Sequence, residues 1–216
     1  MSRSRRIVVF GATGGIGRQV VHQALGLGHH VTAVVRARAP FELIHSALDV
    51  VRVPELADPA PLAPAFKDVQ AVISGVGPRG PKDGPVASTA TFGILGAMEA
   101  AGVKRFVAVS AVPVGPVPEG ESFLNRHIVL PLIGRFLRDL YADLAAMEQE
   151  IQRSGTEWTI VRPPKLVNKA LTGVYRTRIG SNVPRGYRIS RANVAHAMLA
   201  ALDDPQTIRQ PIGVAD

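Results

Sequence analysis

A short apolar run near the start of the chain passes without a break into closely spaced glycines: residues Ile7 to Gly17 read IVVFGATGGIG. The β-branched and aromatic residues make a buried strand. Ile16, Val20, Val21, Ala24 and Leu25 then repeat at helical spacing, so the glycines sit at a strand-to-helix turn. Such a turn aims unpaired backbone N–H groups and the positive end of a helix dipole at one spot, which suits a pyrophosphate. Gly11 permits the tight turn, Gly14 lets the backbone approach the phosphates, and Gly17 lets the helix lie close to the strand. A glycine pattern alone is weak evidence, and its strand–turn–helix context is what gives it weight.

The 216 residues suffice for one well-buried domain and are too few for two. A hydrophobic content of 46% fits a compact α/β protein with a mostly buried sheet. No apolar stretch approaches the ~20 residues of a membrane span, so no membrane partner is expected. The opening MSRSRR runs directly into the first strand and leaves no room for a cleaved signal peptide. The absence of cysteine excludes disulfides, thiolate catalysis and thiolate-rich metal sites, and no metal is expected. A cytoplasmic protein is the expectation. The net charge of +8 raises the question of nucleic acid. The arginines are scattered singly, however, apart from Arg3, Arg5 and Arg6, and no aromatics interleave with them. A solvated basic surface that attracts anions in general is the simpler reading.

Strands alternate with helices along the chain. Strands are expected at 6–11, 30–36, 50–53, 70–75, 105–111 and 158–162, with helices at 15–27, near 63–66 and at 86–101. Gly102 is placed to cap the last of these helices. A proline- and glycine-rich loop fills 112–121. From Ile133, the positions Phe136, Leu137, Leu140, Leu144, Met147 and Ile151 form an apolar stripe on a long helix that ends near Ser154–Gly155. That stripe can serve a core or a homodimer. An extended piece at 173–178, a helix at 191–202 capped by Ser190, and a tail strand at 212–214 complete the pattern. The expected fold is a single Rossmann-type α/β domain over 1–216, a parallel sheet with helices on both faces. Its substrate pocket would be built by the 112–135 loop and the 166–190 segment.

In this fold the residue that ends the second strand faces the adenosine ribose. An acid there would select NAD(H). Here that strand ends in Arg36, with Arg38 close behind and no acid before Glu42. A guanidinium can hold a 2′-phosphate bidentately, so NADP(H) is expected over NAD(H). Glu55 and Leu56 can flank an adenine, although a loop acid beside prolines is ordinary. The small residues Ser74, Gly75, Val76 and Gly77 end a strand where ligands of open α/β sheets bind.

With these residues in view, the chain resembles the atypical short-chain dehydrogenases/reductases of the NAD(P)H-binding, NmrA-like group, and is most similar to the biliverdin reductase B/flavin reductase type. GATGGIG at 11–17, VVR at 34–36, VAVSA at 107–111, SGTEWTIVRPPKL at 154–166, LTGVYR at 171–176 and ISRANVAHAML at 189–199 carry the likeness. The resemblance implies that Gly11, Thr13, Gly14, Gly15, Ile16, Gly17, Arg36, Arg38, Glu55, Leu56, Gly75, Val76 and Gly77 bind the cofactor. It also implies that Ser110, Ala111, Pro163, Pro164, Lys165 and Leu166 surround the nicotinamide end. Asn193 stands where the family often has Asp, a change expected to affect helix capping more than chemistry.

One departure matters. The larger short-chain family uses a Tyr and a Lys four residues apart on the long helix for proton transfer. Leu140 and Leu144 occupy those slots here, and Tyr141 is one residue off. Sugar epimerase, dehydratase and alcohol dehydrogenase readings are therefore disfavoured. A flavin, quinone or tetrapyrrole acceptor takes hydride at a conjugated position and can draw its proton from solvent, so it needs no such pair. Ser110 is the best polar candidate beside the reacting centre, with a serine bonded to local backbone as the bland alternative. Lys165 can hold an amide or carboxylate, or be solvated. His127 and Tyr141 are read as structural. Two functions fit: an NADPH-dependent reductase of a small-molecule acceptor, or a non-catalytic sensor of the NADP(H) redox state that passes its signal to a protein partner.

Overall fold

The computed structural model describes residues 4–78, 80, 83–124, 132, 135 and 137–216. Arg3, His127, Ile133, Phe136 and much of the 122–136 stretch assigned above to loop and helix start lie outside them. The elements, in chain order, are β1 (Arg6–Phe10), α1 (Gly15–Gly26), β2 (His30–Arg36), β3 (Leu48–Val53), β4 (Ala71–Ser74), α2 (Val86–Ala101) and β5 (Arg105–Val109). After these come α3 (Arg138–Arg153), β6 (Glu157–Arg162), β7 (Lys165–Val167), β8 (Arg176–Ile179), β9 (Arg188–Ser190), α4 (Arg191–Ala201) and β10 (Gln210–Ala215). Short 3-10 turns occur at Ala60–Phe66, Val112–Val114 and Pro205–Thr207.

Among the described residues the main sheet runs β3-β2-β1-β4-β5-β6-β10-β8. Its strands from β3 across to β10 are parallel, as the alternation of strand and helix requires. The edge strand β8 departs from the expected all-parallel sheet, pairing antiparallel with β10 as Ile212 faces Ile179. The order reverses between β1 and β4, where Phe10 faces Ser74, and open α/β sheets bind ligands at such a switch point. A small parallel sheet of β7 and β9, which periodicity does not reveal in such short strands, joins Lys165–Val167 to Arg188–Ser190.

Side-chain alternation divides the core in two. Ile7 and Val9 of β1 point to a layer filled by Val20, Val21 and Ala24 of α1 and by Val194 and Met198 of α4. Val8 and Phe10 point the other way, to Ile94 and Met98 of α2 and to Leu144, Met147 and Ile151 of α3. This period-two split is what a parallel sheet covered on both faces demands. Local chemistry ends the helices where expected. Gly102 takes φ +68° at the C-cap of α2, and the Ser190 hydroxyl accepts the Asn193 N–H at 2.9 Å to cap α4.

Asn193 does something other than capping. Its side-chain oxygen accepts the N–H groups of Thr172 and Gly173, and its amide donates to the Asp216 carboxylate at 2.9 Å. The amide supplies a donor that Asp would lack, which explains why Asn is accommodated here. Arg105, at the opposite end of the sheet from the switch point, donates to Thr159, to Thr207 and to the Ala201 carbonyl that ends α4. Burial pushes its pKa down to about 10, so it stays cationic at neutral pH and complements the helix dipole.

His29 is 3% exposed, and its Nδ1 accepts the Arg5 N–H at 3.2 Å. Burial lowers its pKa, Asp203 opposes that shift, and Arg5 adds to it. A base held below its unfolded value contributes stability that is full above about pH 6.5 and is lost as pH falls further. Denaturant melts from about pH 7 to about pH 5 should therefore show a steeper loss for the wild type than for His29→Asn, which keeps an acceptor but does not titrate. Parallel slopes would refute this assignment.

Candidate functional site: a glycine-lined cleft at the sheet switch point

The strand-to-helix turn is built by interlocking glycines. Gly11 adopts φ +73°, and a Cβ there would lie 2.6 Å from the Gly75 carbonyl carbon. A Cβ on Gly17 would run into the Gly11 carbonyl oxygen, so Gly17 shapes the turn from beneath and does not line the cleft. Gly75, at the end of β4, donates its N–H to the Phe10 carbonyl at 3.0 Å. The ends of β1 and β4 thus cross at backbone contact. Gly14 is the extended N-cap of α1 and provides no side-chain cap, and the first turn of α1 carries no acid. The leading N–H groups of α1 have no intrahelical acceptor. The result is a positive, donor-rich concavity that the helix does not itself neutralise.

A cleft of about 1090 Å³ extends from this turn across the carboxyl ends of the strands. Gly11, Thr13, Gly14, Gly15 and Ile16 line its centre. Arg36, Glu55 and Leu56 line one part, and Gly75, Val76 and Gly77 follow β4. Ser110, at the end of β5, also faces it, together with Leu140 and Leu144 of α3 and Leu166 of β7. The volume is just above the usual range of small-molecule sites, roughly 300–1,000 Å³, as an extended dinucleotide cleft requires. The bland reading of Ser110 does not hold, because its buried hydroxyl has no hydrogen-bond partner among the described residues. A buried polar atom left in that state calls for a partner beyond the described residues, such as water or a ligand.

Six residues assigned to the site by sequence do not line the cleft. These are Gly17, Arg38, Ala111, Pro163, Pro164 and Lys165. Arg38 is exposed in the turn after β2, which Arg52 holds by donating to the Ala37 and Ala39 carbonyls. Pro163 is buried and accepts the Val112 N–H, so its role is to hold the loop after β5. Lys165 is exposed because side chains alternate along β7, turning Leu166 inward and Lys165 out. The 112–135 and 166–190 segments do meet, with the Asn182 amide donating to the Val112 and Pro116 carbonyls. Of their described residues, however, only Leu166 lines the cleft.

Sequence reasoning misses others. The spacing of Leu140 and Leu144 reads as core or interface packing, yet they form part of the cleft wall. Asp83 and Thr89 before and within α2 line it too, as does Arg191 at the start of α4. Arg191 follows a legible capping serine, but nothing in its sequence neighbourhood shows that α4 starts against the glycine turn.

The fold and this cleft define a dinucleotide-binding α/β protein: a donor-rich glycine cradle at the switch point, with a buried unpaired hydroxyl elsewhere in the cleft. The chain belongs to the NAD(P)H-binding family, whose model matches residues 11–205. An uncharacterized chloroplastic protein of Arabidopsis thaliana is 33% identical over 209 residues, which are 93% of this chain and 72% of that protein. The chloroplastic divinyl chlorophyllide a 8-vinyl-reductase of Zea mays is 40% identical over 90 residues, covering 40% of this chain and 21% of that enzyme. Among solved structures, a short-chain dehydrogenase/reductase of Veillonella parvula in complex with NADP superposes with a TM-score of 0.80. It is 19% identical, over 99% of this chain and 95% of that one. A candidate NADH-flavin reductase of Streptococcus pneumoniae gives a TM-score of 0.78 at 22% identity, over 99% of this chain and 100% of that one. At such identities the likeness is one of fold. No helix among the described residues is long and apolar enough to cross a membrane.

Proposed function

We propose that the protein is an NADPH-dependent reductase of a flat, conjugated small molecule of the flavin, quinone or tetrapyrrole type. The observation that carries this reading is the make-up of the cleft that Ser110 lines. Leu140, Leu144 and Leu166 give the cleft apolar lining, and the Ser110 hydroxyl that also lines it has no hydrogen-bond partner among the described residues. A wall of this kind suits the face of a flat ring system. The positions where the larger short-chain family carries its Tyr and Lys are the two leucines. Tyr141 is no substitute: it packs against the α2–α3 core layer, and burial raises its pKa, the wrong direction for a group that gives up a proton near neutral pH.

NADPH, when bound, supplies the hydride. The chain's own part is placement. The free main-chain amides of Gly15 and Ile16 hold the diphosphate, the Gly14 N–H being taken by the Gly11 carbonyl, and Glu55 and Leu56 flank the adenine. Ser110 donates to the nicotinamide amide or to the acceptor, and the leucines exclude water from the reacting face. The proton that completes reduction of the acceptor comes from solvent. The maize relative, named as a reductase of a chlorophyllide, lends this acceptor class support.

Arg36, exposed at the rim of the cleft, is the group we assign to the 2′-phosphate. A charge-assisted contact of ~1.5–3 kcal/mol corresponds to about ten- to a hundredfold in affinity. Arg36→Ala should therefore weaken NADPH by that factor and leave NADH unchanged, as titrated by the quenching of protein fluorescence. Unchanged NADPH binding, or wild-type NADH binding as tight as NADPH, would remove the basis for the preference. The wider test is NADPH oxidation with riboflavin, FMN and quinones as acceptors. Turnover with at least one is expected. Tight NADPH binding with complete inertness across the panel would overturn the reductase and favour a redox sensor.

A further inference from the structure

Beside the main cleft lies a second cavity of about 510 Å³, reached from the same glycine turn. Its walls include Arg18 of α1, Asn168 and Lys169 after β7, and Arg191 at the start of α4. Among the described residues that line it, three side chains are cationic and none is acidic. The N-termini of α1 and α4 both open on it, and neither helix has an acid in its first turn. Two helix dipoles and three cations therefore converge on one volume with no countercharge in its described lining.

Arg191 belongs to both cavities. Its side chain lies across the turn: a Cβ on Gly15 would stand 2.7 Å from its Cδ and 2.8 Å from its Nε. Gly15 thus has a requirement beyond backbone conformation, since any side chain there would displace the arginine. Nη1 donates to the Asn168 Oδ1 at 2.7 Å, which orients the guanidinium while leaving most of its five N–H groups for another acceptor. An anion resting on the free amides of Gly15 and Ile16 would have this guanidinium at its open side.

We propose that Arg191 is the side-chain cation of the diphosphate site, closing over the dinucleotide from α4 while the main-chain amides hold it from α1. This rests on the NAD(P)H reading above and extends it to a specific residue with a specific signature. The diphosphate is common to NADPH and NADH, so Arg191 acts on both nucleotides equally, whereas Arg36 acts on the 2′-phosphate alone. Arg18 and Lys169 add long-range attraction from the second cavity.

The test is a binding matrix of NADPH and NADH against wild type, Arg191→Gln, Arg191→Lys and Arg36→Ala. Arg191→Gln should weaken both nucleotides by the same factor, about ten- to a hundredfold for a lost charge-assisted contact. Arg191→Lys should fall in between, because it keeps the charge and loses the planar fork. Inorganic pyrophosphate should raise the thermal midpoint of the wild type and fail to raise that of Arg191→Gln, which also reports whether the variant is folded. Affinities unchanged in Arg191→Gln, a loss confined to NADPH, or equal pyrophosphate stabilisation of both proteins would each overturn the assignment. A wild type that binds neither nucleotide would overturn the underlying cofactor reading, a result distinct from a wild type that binds and a variant that binds equally well.

Discussion

Replacing Glu148 by glutamine is expected to destabilise the protein by about 3–5 kcal/mol, the cost of leaving a buried charge without its partner. Glu148 on α3 and Arg162 at the end of β6 form a two-pronged ion pair. The Arg162 Nε donates to Glu148 Oε1 at 2.9 Å, and its Nη2 donates to Oε2. The two side chains, Arg162 and Glu148, are only 7% and 4% exposed. A glutamine would keep the shape but not the charge, and the guanidinium would stay locked between the helix and the loop at Gly115. At roughly 2–4 °C per kcal/mol for a domain of this size, the thermal midpoint should fall by about 6–20 °C. The double variant Glu148→Leu/Arg162→Met should recover at least half of that loss, because apolar replacement of a whole buried pair is often neutral. A Glu148→Gln variant within about 1 kcal/mol of wild type would show that water reaches the pair.

Gly14→Asp should separate binding from folding. Gly14 is the N-cap of α1, with φ −80° and ψ 166°, and a Cβ there would meet nothing closer than the Gly11 oxygen at 3.2 Å. Aspartate is a preferred N-cap residue, and its capping gain offsets the close approach of its Cβ to the Gly11 oxygen, so the variant is expected to fold and to melt within a few degrees of the wild type, on the order of 1 kcal/mol. Its carboxylate, however, would occupy the place proposed for a phosphate, and a like-charge juxtaposition costs several kcal/mol. NADPH affinity should fall by at least about a hundredfold, with turnover lost in parallel. Calorimetric titration and a melt on the same preparation decide the matter. Affinity within about threefold of wild type would mean that the diphosphate does not approach Gly14.

Asp143 shows how far tertiary placement of a carboxylate goes. This buried residue of α3 accepts the Ala87 N–H at 2.8 Å and the Ser88 N–H at 2.9 Å. It thereby caps the N-terminus of α2 from another helix, the role that Pro85 at the N-cap itself cannot fill. Its negative charge also means that the start of α2, although it borders the cleft, is neutralised. The first turn of α1 carries no such acid, and this asymmetry is a reason to propose the glycine turn as the anion site of the cleft.

How much can be read in advance follows from where the information lies along the chain. The β1–turn–α1 unit, the Gly102 and Ser190 caps, and the alternation that yields a covered parallel sheet are encoded by neighbours within a few residues. Their physics is local: a left-handed conformation that only Gly adopts easily, an oxygen three residues before a free N–H, apolar spacing of two or of about four. That the glycine cradle, Arg36, Glu55, Leu56 and Ser110 would line one cleft is legible because this fold opens its clefts at strand ends.

Packing between distant segments decides the rest. An arginine or glutamate in a sequence reads as solvated unless something far away buries it, so the Glu148–Arg162 pair and the Asp143 cap have no local sign. Arg191 is far from Gly15 in sequence and touches it only because α4 packs beside α1. Lys165 falls to the site by its nearness to the paired prolines, and the pleat of a three-residue strand turns it outward. Proximity along the chain determines conformation over a turn or two of backbone. Which charges are desolvated, and which face one another, depends on contacts made only when the whole sheet is assembled.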